Sequence, residues 1–413
     1  MTSSTSTEMN LACPACGETQ RESVLSVDRV PTSCAQLFAT LERAVKAPDC
    51  RLDIQLCCDC GHIWNAAHKD EAHALYNDDY YSSVTESPQG RDYQDALAKD
   101  LDRILGLRSK TVIEIGCGDG YFLETLSSHQ AKGIGFEPSA TFQVANDRPG
   151  IQVRNEMFQF DSPGNSEFES DLVVMRHVLE HIPSAKDMLQ SLSHQKFKGK
   201  VPSNLFIEVP NAMHALTNNL YFDFYNDHVH YFSAASLTRM AARAGWRPLE
   251  KITGTEEFLR LVFSNDSQNA AAPAAVEDND QFLAEVSSSA AVFRESFTKW
   301  SKDLNHILKG LKENGGRIAV WGAGARGLSL LAGLNLPGGF FEYVIDSDTG
   351  KHGRFLPAVH LPVYPQEHLE TAPVDCVMVT SYTYFNEIWT QLADFRARGG
   401  KVLKVYPEAQ LAD

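Results

Sequence analysis

The 413-residue chain has no apolar run approaching the ~20 residues that a helix needs to cross a bilayer, so no membrane-spanning helix is expected. Positive charge is also scarce: 37 Lys and Arg stand against 53 Asp and Glu, a formal net charge of −16. A chain of that sign has no general attraction for nucleic acid or anionic lipid, and neither is expected as a partner. The opening residues, Met1-Thr2-Ser3-Ser4-Thr5-Ser6-Thr7, lack the basic and apolar regions of a secretory signal. The nine cysteines are therefore expected as thiols or metal ligands in a cytoplasmic, reducing setting rather than as disulfides. Hydrophobic residues reach 43%, enough for real cores, and the length suits two or three domains.

Four cysteines fall in two C-x-x-C-G knuckles, Cys13-Pro14-Ala15-Cys16-Gly17 and Cys57-Cys58-Asp59-Cys60-Gly61. Each knuckle turns two thiolates toward one metal. Cys13, Cys16, Cys57 and Cys60 together would complete a tetrahedral zinc site with no open position, which is a structural pattern. Redox chemistry is the rival for any C-x-x-C, and Cys58 could stand in for Cys57. The stretch between the pairs is longer than a compact ribbon needs and is expected to loop out of a zinc-binding module spanning residues 1–75.

The chain is organised around Val112-Ile113-Glu114-Ile115-Gly116-Cys117-Gly118-Asp119-Gly120-Tyr121. Its first half reads as a buried parallel strand, and a helical pattern starts at Tyr121. Strand, glycine turn and helix together set backbone N–H groups beside a closely approaching ligand. The spacing of Glu114, Gly116, Gly118 and Gly120 resembles the first motif of class I S-adenosylmethionine (SAM) methyltransferases. Glu137 ends the second strand, at the offset from the glycine turn where a carboxylate can accept both ribose hydroxyls. The resemblance makes Asp161, after a third strand, a group facing the adenine amine. It also makes His177 a cofactor contact, in the run Asp171-Leu172-Val173-Val174-Met175-Arg176-His177-Val178-Leu179-Glu180-His181. A fifth strand covers residues 204–211. The SAM domain is expected over residues 76–255, and an α/β sheet with incidental glycines is the competing reading.

Two further stretches carry chemistry. Tyr80 and Tyr81 lie in a polar aromatic loop that could equally cap a domain interface. Residues 221–233, Tyr221-Phe222-Asp223-Phe224-Tyr225-Asn226-Asp227-His228-Val229-His230-Tyr231-Phe232-Ser233, follow the fifth strand and overhang the carboxyl ends of the sheet, where ligands bind. A small, polar linker over 265–280 and a long helical pattern over 281–314 come next. Trp321-Gly322-Ala323-Gly324-Ala325-Arg326-Gly327 then repeats the strand–glycine–helix theme as G-x-G-x-x-G, with Asp346 ending a later strand. By itself this lobe, residues 256–413, admits a redox dinucleotide, a sugar-nucleotide pyrophosphate or no ligand at all.

Four-cysteine module, SAM domain and Rossmann-like lobe in this order resemble the sugar C-methyltransferase family that acts on nucleotide-linked deoxysugars. The resemblance extends to residues 344–357, which are similar to the family's D-x-x-x-x-K-x-G-x-x-x-P stretch and contain Arg354. Where the family reads Tyr-His-Glu-His, this chain has Tyr225-Asn226-Asp227-His228, with a shorter acid. The resemblance implies SAM and structural zinc as cofactors and a nucleotide-diphosphate keto-sugar of TDP type as acceptor. It implies His228 as base, Asp227 as its partner, and Tyr225 with Tyr80 or Tyr81 as enolate donors. Asn211, His230, Gly322, Gly324, Arg326 and Arg354 would contact the acceptor. A base near neutrality suits removal of a proton alpha to a ketone, and imidazole is the side chain for it. Three alternatives remain open: O- or N-methylation, a zinc-ribbon scaffold with a vestigial SAM pocket, and RNA methylation, which the acidic charge disfavours.

Overall fold

The computed structural model describes residues 12–69, 88–160, 167–266 and 279–412; Tyr80, Tyr81 and Asp161 lie outside the described residues. Among the described residues no helix is long and apolar enough to cross a membrane.

The stretch between the cysteine pairs builds structure rather than looping out. It forms an antiparallel ribbon of β1 (Arg21–Pro31) and β2 (Asp49–Cys57), to which β3 (Ile63–Asn65) adds. In the middle of the chain β4 (Thr111–Ile115), β5 (Lys132–Phe136), β6 (Ile151–Arg154), β7 (Leu172–Arg176) and β8 (Asn204–Pro210) run parallel. All five positions of β4 are buried, as the centre of a sheet covered on both faces requires. The next strand, β9 (His230–Tyr231), leaves that sheet and pairs with β3, so the N-terminal module is completed by two residues from far downstream in the chain.

The hairpin of β10 (Arg247–Lys251) and β11 (Phe258–Ser264) returns to the middle sheet, giving the order β10-β11-β8-β7-β4-β5-β6. The residues just past the expected boundary at 255 therefore still pack on the middle sheet. β11 lies antiparallel along the whole of β8, and Leu259, Leu261, Val262 and Phe263 bury into the middle core. The compositional break that suggests a linker falls later, past residue 265.

The third sheet holds β12 (Ile318–Trp321), β13 (Val344–Ile345), β14 (Val363–Tyr364), β15 (Cys376–Val379), β16 (Lys401–Lys404) and β17 (Gln410–Ala412), in the order β14-β13-β12-β15-β16-β17. Before it runs the 35-residue helix Asn279–Glu313, whose buried residues Phe282, Val286, Ala290, Phe293, Trp300, Leu304 and Leu308 follow a helical period. One apolar core spans this helix, the β1–β2 ribbon, the segment around Phe222 and Phe224, and the third lobe. Phe293 sits in the middle of it, its ring 5.1 Å from Tyr221 and 5.3 Å from Phe224. Phe293→Ala should cost ~3–5 kcal/mol, read as a lower urea midpoint at unchanged slope. A loss below ~1 kcal/mol would mean that this shared core does not hold the lobes together.

Candidate functional site

The two cysteine knuckles meet. Cys13 Sγ is 3.7 Å from Cys60 Sγ and Cys16 Sγ is 3.6 Å from Cys57 Sγ, with all four sulfurs within 4.8 Å of one another. Ligands ~2.3 Å from a tetrahedral ion lie about 3.8 Å apart, so the set has the dimensions of a metal site built from four thiolates. Gly17 and Gly61, both at positive φ, let each turn close: their N–H groups donate to the Cys13 and Cys57 carbonyls. Cys58 is exposed and outside the cluster. The helix Ala234–Arg243 anchors the module, Arg239 donating to the Cys60 carbonyl and Arg243 to that of Ala15.

At the carboxyl end of β4 the glycine turn opens toward β5. Gly116, Gly118 and Gly120 all take positive φ. A Cβ on Gly118 would meet no protein atom within 4 Å, so its face is open to a ligand. One on Gly116 would lie 2.6 Å from Val178 Cγ2, which sets the turn after β7 directly beside the first glycine. Glu137 accepts from the N–H groups of Gly118 and Ser139, each at 2.8 Å, and this holds its carboxylate at the turn. Glu114 is buried with Oε2 lacking a hydrogen-bond partner, and Arg176 is 3.8 Å from its other oxygen. Burial above all pushes its pKa from 4.5 to about 8. An unpartnered buried carboxylate is costly unless a cation or donor compensates it.

The segment 225–231 is gripped by the N-terminal module. Trp64 pairs with His230 and Ile63 with Tyr231. Asn65 Nδ2 donates to both the backbone and side-chain oxygens of Asn226, and His68 Nδ1 donates to the Asn226 carbonyl. Asn226 in turn donates to the Thr32 carbonyl. Within this frame His228 is half-buried, its ring edge-on to His181 at 4.7 Å and to Tyr225 at 5.0 Å. Burial first, then His181, push its pKa down to about 4, below the near-neutral value expected for it.

Several expected roles change. Asp227 does not orient His228: its Oδ2 accepts the Ser33 hydroxyl at 2.7 Å. His230, expected as an acceptor contact, lines the cleft described below, but both its ring nitrogens are engaged: Nε2 donates to the Ile182 carbonyl and Nδ1 meets His62 Nε2 at 2.9 Å. Arg354 donates to the Leu37 carbonyl between the third lobe and the N-terminal module, away from the cleft described below. Asn211 caps the helix Ala212–Thr217 through its Oδ1.

A cleft of about 650 Å³ separates the middle domain from the third lobe, with His177, Asn211 and Tyr225 on one wall and Gly324, Arg326 and Tyr382 on the other. Gly324 has open space at its Cβ position, whereas one on Gly322 would strike Thr380 Oγ1 at 2.5 Å. Gly322 therefore serves the packing of the turn against the end of β15, not a ligand face. Arg326 is not a free cation: Asp223 accepts from its Nε at 2.6 Å and its Nη2 at 3.1 Å, and Glu257 accepts from Nη2 as well. Asp346 accepts from the Ala323 N–H and pairs with Lys351 at 3.2 Å. The parts played by Asp223, Glu257 and Ser33 have no local signature in the sequence and were not expected. Glu180 does have a signal in the sequence, as an acid flanked by His177 and His181 just past a strand.

A family model described as a methyltransferase domain matches residues 90–251, and one described as a C-methyltransferase C-terminal domain matches residues 259–407. C-methyltransferase NovU of Streptomyces niveus is 24% identical over 317 residues, 73% of each chain. Two solved structures are similar at TM-score 0.34. Magnesium protoporphyrin IX methyltransferase ChlM of Synechocystis PCC 6803, with bound SAH, is 15% identical over 48% of this chain and 94% of its own. A putative SAM-dependent methyltransferase of Listeria monocytogenes is 13% identical over 43% and 100%. The parallel sheet with its open glycine turn and the matching domain model define a SAM-dependent methyltransferase. The third lobe carries the narrower likeness: residues 259–407 match the C-methyltransferase C-terminal domain, and the chain as a whole is similar to a C-methyltransferase.

Glu114 supplies a pH test. Its folded pKa lies above its ordinary value, so the penalty for its charge is absent below about pH 4.5 and complete above about pH 8. Glu114→Gln should therefore stabilise the ligand-free protein at pH 8.5, by on the order of a few kcal/mol, while weakening SAM about tenfold or more. Calorimetry at pH 8.5 and 5 measures the first effect and titration with SAM the second. Unchanged SAM affinity would remove Glu114 from the cofactor site.

Proposed function

We propose that this enzyme methylates a carbon alpha to the ketone, C3, of a nucleotide-diphosphate 4-keto-deoxysugar, with a TDP-type sugar as the expected acceptor. One observation carries the reading. His177 and Tyr225 of the methyltransferase domain share a cleft with the glycine turn of the third lobe, and His228 packs against Tyr225. An acceptor long enough to reach across would rest its diphosphate on the N–H groups that begin the helix Ala325–Gly333, through Gly324. Arg326 is already matched by Asp223 and Glu257, so it braces the cleft wall and the diphosphate is assigned to the backbone instead.

A saturated sugar carbon is not a nucleophile, and the side chains here address that. His228 is neutral at physiological pH, so its free ring nitrogen can take the C3 proton while the C–H electron pair passes into an enolate. The Tyr225 phenol is assigned as donor to the developing oxygen, toward which it would turn the one proton that it gives to Asp223 at 3.4 Å, and His177 borders the same cleft. Tyr80 and Tyr81 remain candidates for the same donor role. SAM, when bound, supplies a sulfonium methyl that accepts a carbon nucleophile and leaves a neutral thioether. Gly116, Gly118, Gly120, Glu114 and Glu137 are assigned to hold it, with Asp161 at its adenine.

The four thiolates Cys13, Cys16, Cys57 and Cys60 are assigned one structural zinc ion, whose function is to fix the module that grips residues 225–231. Nine cysteines without a disulfide suit a cytoplasmic location. The domains are assigned as a cysteine module to about residue 75, a methyltransferase domain to about 266, and a nucleotide-sugar lobe thereafter.

Two variants test this reading. His228→Ala should abolish both methyl transfer and SAM-independent exchange of solvent deuterium into C3, with SAM affinity within about twofold of the parent. Retained exchange would move the base elsewhere, and transfer without any exchange in the parent would favour O- or N-methylation. Cys57→Ser should reduce bound zinc from about one per chain and cut turnover ~10-fold or more while SAM still binds. Full turnover in metal-free protein would separate the cysteine module from catalysis.

A further inference from the structure

The acid next to the base in sequence is engaged elsewhere, since Asp227 accepts from Ser33. Another carboxylate stands where a partner is needed. Glu180 lies on the 3-10 turn Leu179–His181 just beyond β7, is 1% exposed, and has no hydrogen-bond partner at either carboxylate oxygen. One of those oxygens and ring nitrogens of His181 and His228 lie within 4.8 Å of one another, and Oε1 is 3.7 Å from His177 Nδ1. The Val229 N–H donates to the Glu180 carbonyl at 2.7 Å, which ties this turn to the loop that bears His228. A buried carboxylate without hydrogen bonds is costly unless charge compensates it. Imidazoles surround this one.

We infer that Glu180 is a positioning residue for the proposed reaction: its carboxylate, free of hydrogen bonds, is a buried counter-charge, beside that of Asp227, for the imidazolium that forms when His228 takes the acceptor's proton. The inference rests on His228 being the base. In that step the acceptor's C–H bond breaks, the electron pair stays on the acceptor as an enolate, and the proton bonds to the free ring nitrogen. His228 thereby goes from neutral to +1 beside the −1 of Glu180.

Of the other groups facing this pair, the Asp227 carboxylate also favours a charged His228, and more than Glu180 does, while accepting from Ser33. Burial holds the phenols of Tyr225 and Tyr231 far above their ordinary pKa, so they stay neutral. His230 has both ring nitrogens occupied, and His181 Nδ1 donates to the Asp227 carbonyl at 2.9 Å. His177, across the turn, is raised above its ordinary value: burial works against it, but the neighbouring carboxylates of Glu180 and Glu208 outweigh that. Glu180 itself is held below its ordinary value despite burial, by His177, His181 and His228. Glu180 thus lies between an imidazole at the cleft whose pKa is raised and one on the loop whose pKa is lowered.

The test uses the full chain carrying 13Cε1-labelled histidine, with the His228 resonance assigned by its loss in His228→Ala. In Glu180→Gln the acid titration of His228, centred near 4 in the parent, should shift to lower pH. Turnover and C3 exchange should fall ~10-fold or more, with acceptor KM and SAM affinity within about twofold. Glu180→Asp, which keeps the charge but withdraws it by one methylene, should show the same changes at smaller size, and serves alone if the Gln variant fails to fold. The titration needs no acceptor, so it judges Glu180 even if the sugar assignment fails. An unmoved His228 titration would overturn the inference. So would a loss confined to SAM affinity, or a second bound metal equivalent that disappears with Glu180, which would make the cluster a metal site.

Discussion

The structure depends on how residues 225–231 are held. A two-residue strand such as β9 has no stability of its own and persists only where other elements supply its partners. Here β3 pairs with it, Asn65 and His68 bind Asn226, Ser33 binds Asp227, and His62 binds His230. Each of those partners belongs to the N-terminal module, and His62 directly follows the second cysteine knuckle. The cysteine cluster therefore bears on a loop that comes far later in the chain. A polar network of this kind, which leaves only His62 Nδ1 and His68 Nε2 of its histidine nitrogens without partners, rigidifies what it encloses, and a general base needs fixed geometry relative to the proton it removes.

A second constraint is electrostatic. Glu114, Glu137, Glu180 and Glu208 all lie buried at or near the carboxyl end of the parallel strands. Each is answered differently. Glu208 is paired with Arg176 at 2.6 Å, Glu137 is filled by two backbone N–H groups, Glu180 faces three imidazoles, and Glu114 keeps one oxygen unpartnered. The two carboxylates lacking hydrogen bonds at one or both oxygens are those beside the glycine turn and beside the histidines. These are the positions at which the proposed function assigns the ligand and the proton.

Much of this was legible in the chain. β4 with Gly116, Gly118 and Gly120, the acid at Glu137, β12 with its glycine turn, and the helix Asn279–Glu313 follow from local pattern, because strand period, helix period and positive-φ glycines are local properties. The four cysteines converge as their spacing implied. What escaped is long-range pairing. Nothing in Phe258–Ser264 says that it will lie against β8 rather than open the next lobe. His230, Asp227, Arg326 and Arg354 have the right chemical types for a site, yet each is consumed by a partner far away in sequence: His62, Ser33, Asp223 and Leu37. Residue type announces capacity, and the fold decides whether that capacity is already spent.

The central claim is that this site makes a carbon, not a heteroatom, the nucleophile. Incubating the enzyme with a nucleotide-linked 4-keto-deoxysugar and SAM bearing a 13C-methyl group, then reading the product by carbon and proton correlation, tests it directly. The account predicts the label bonded to the carbon beside the ketone, with one proton lost from that carbon. A label on oxygen or nitrogen, with that carbon's protons intact, would contradict it.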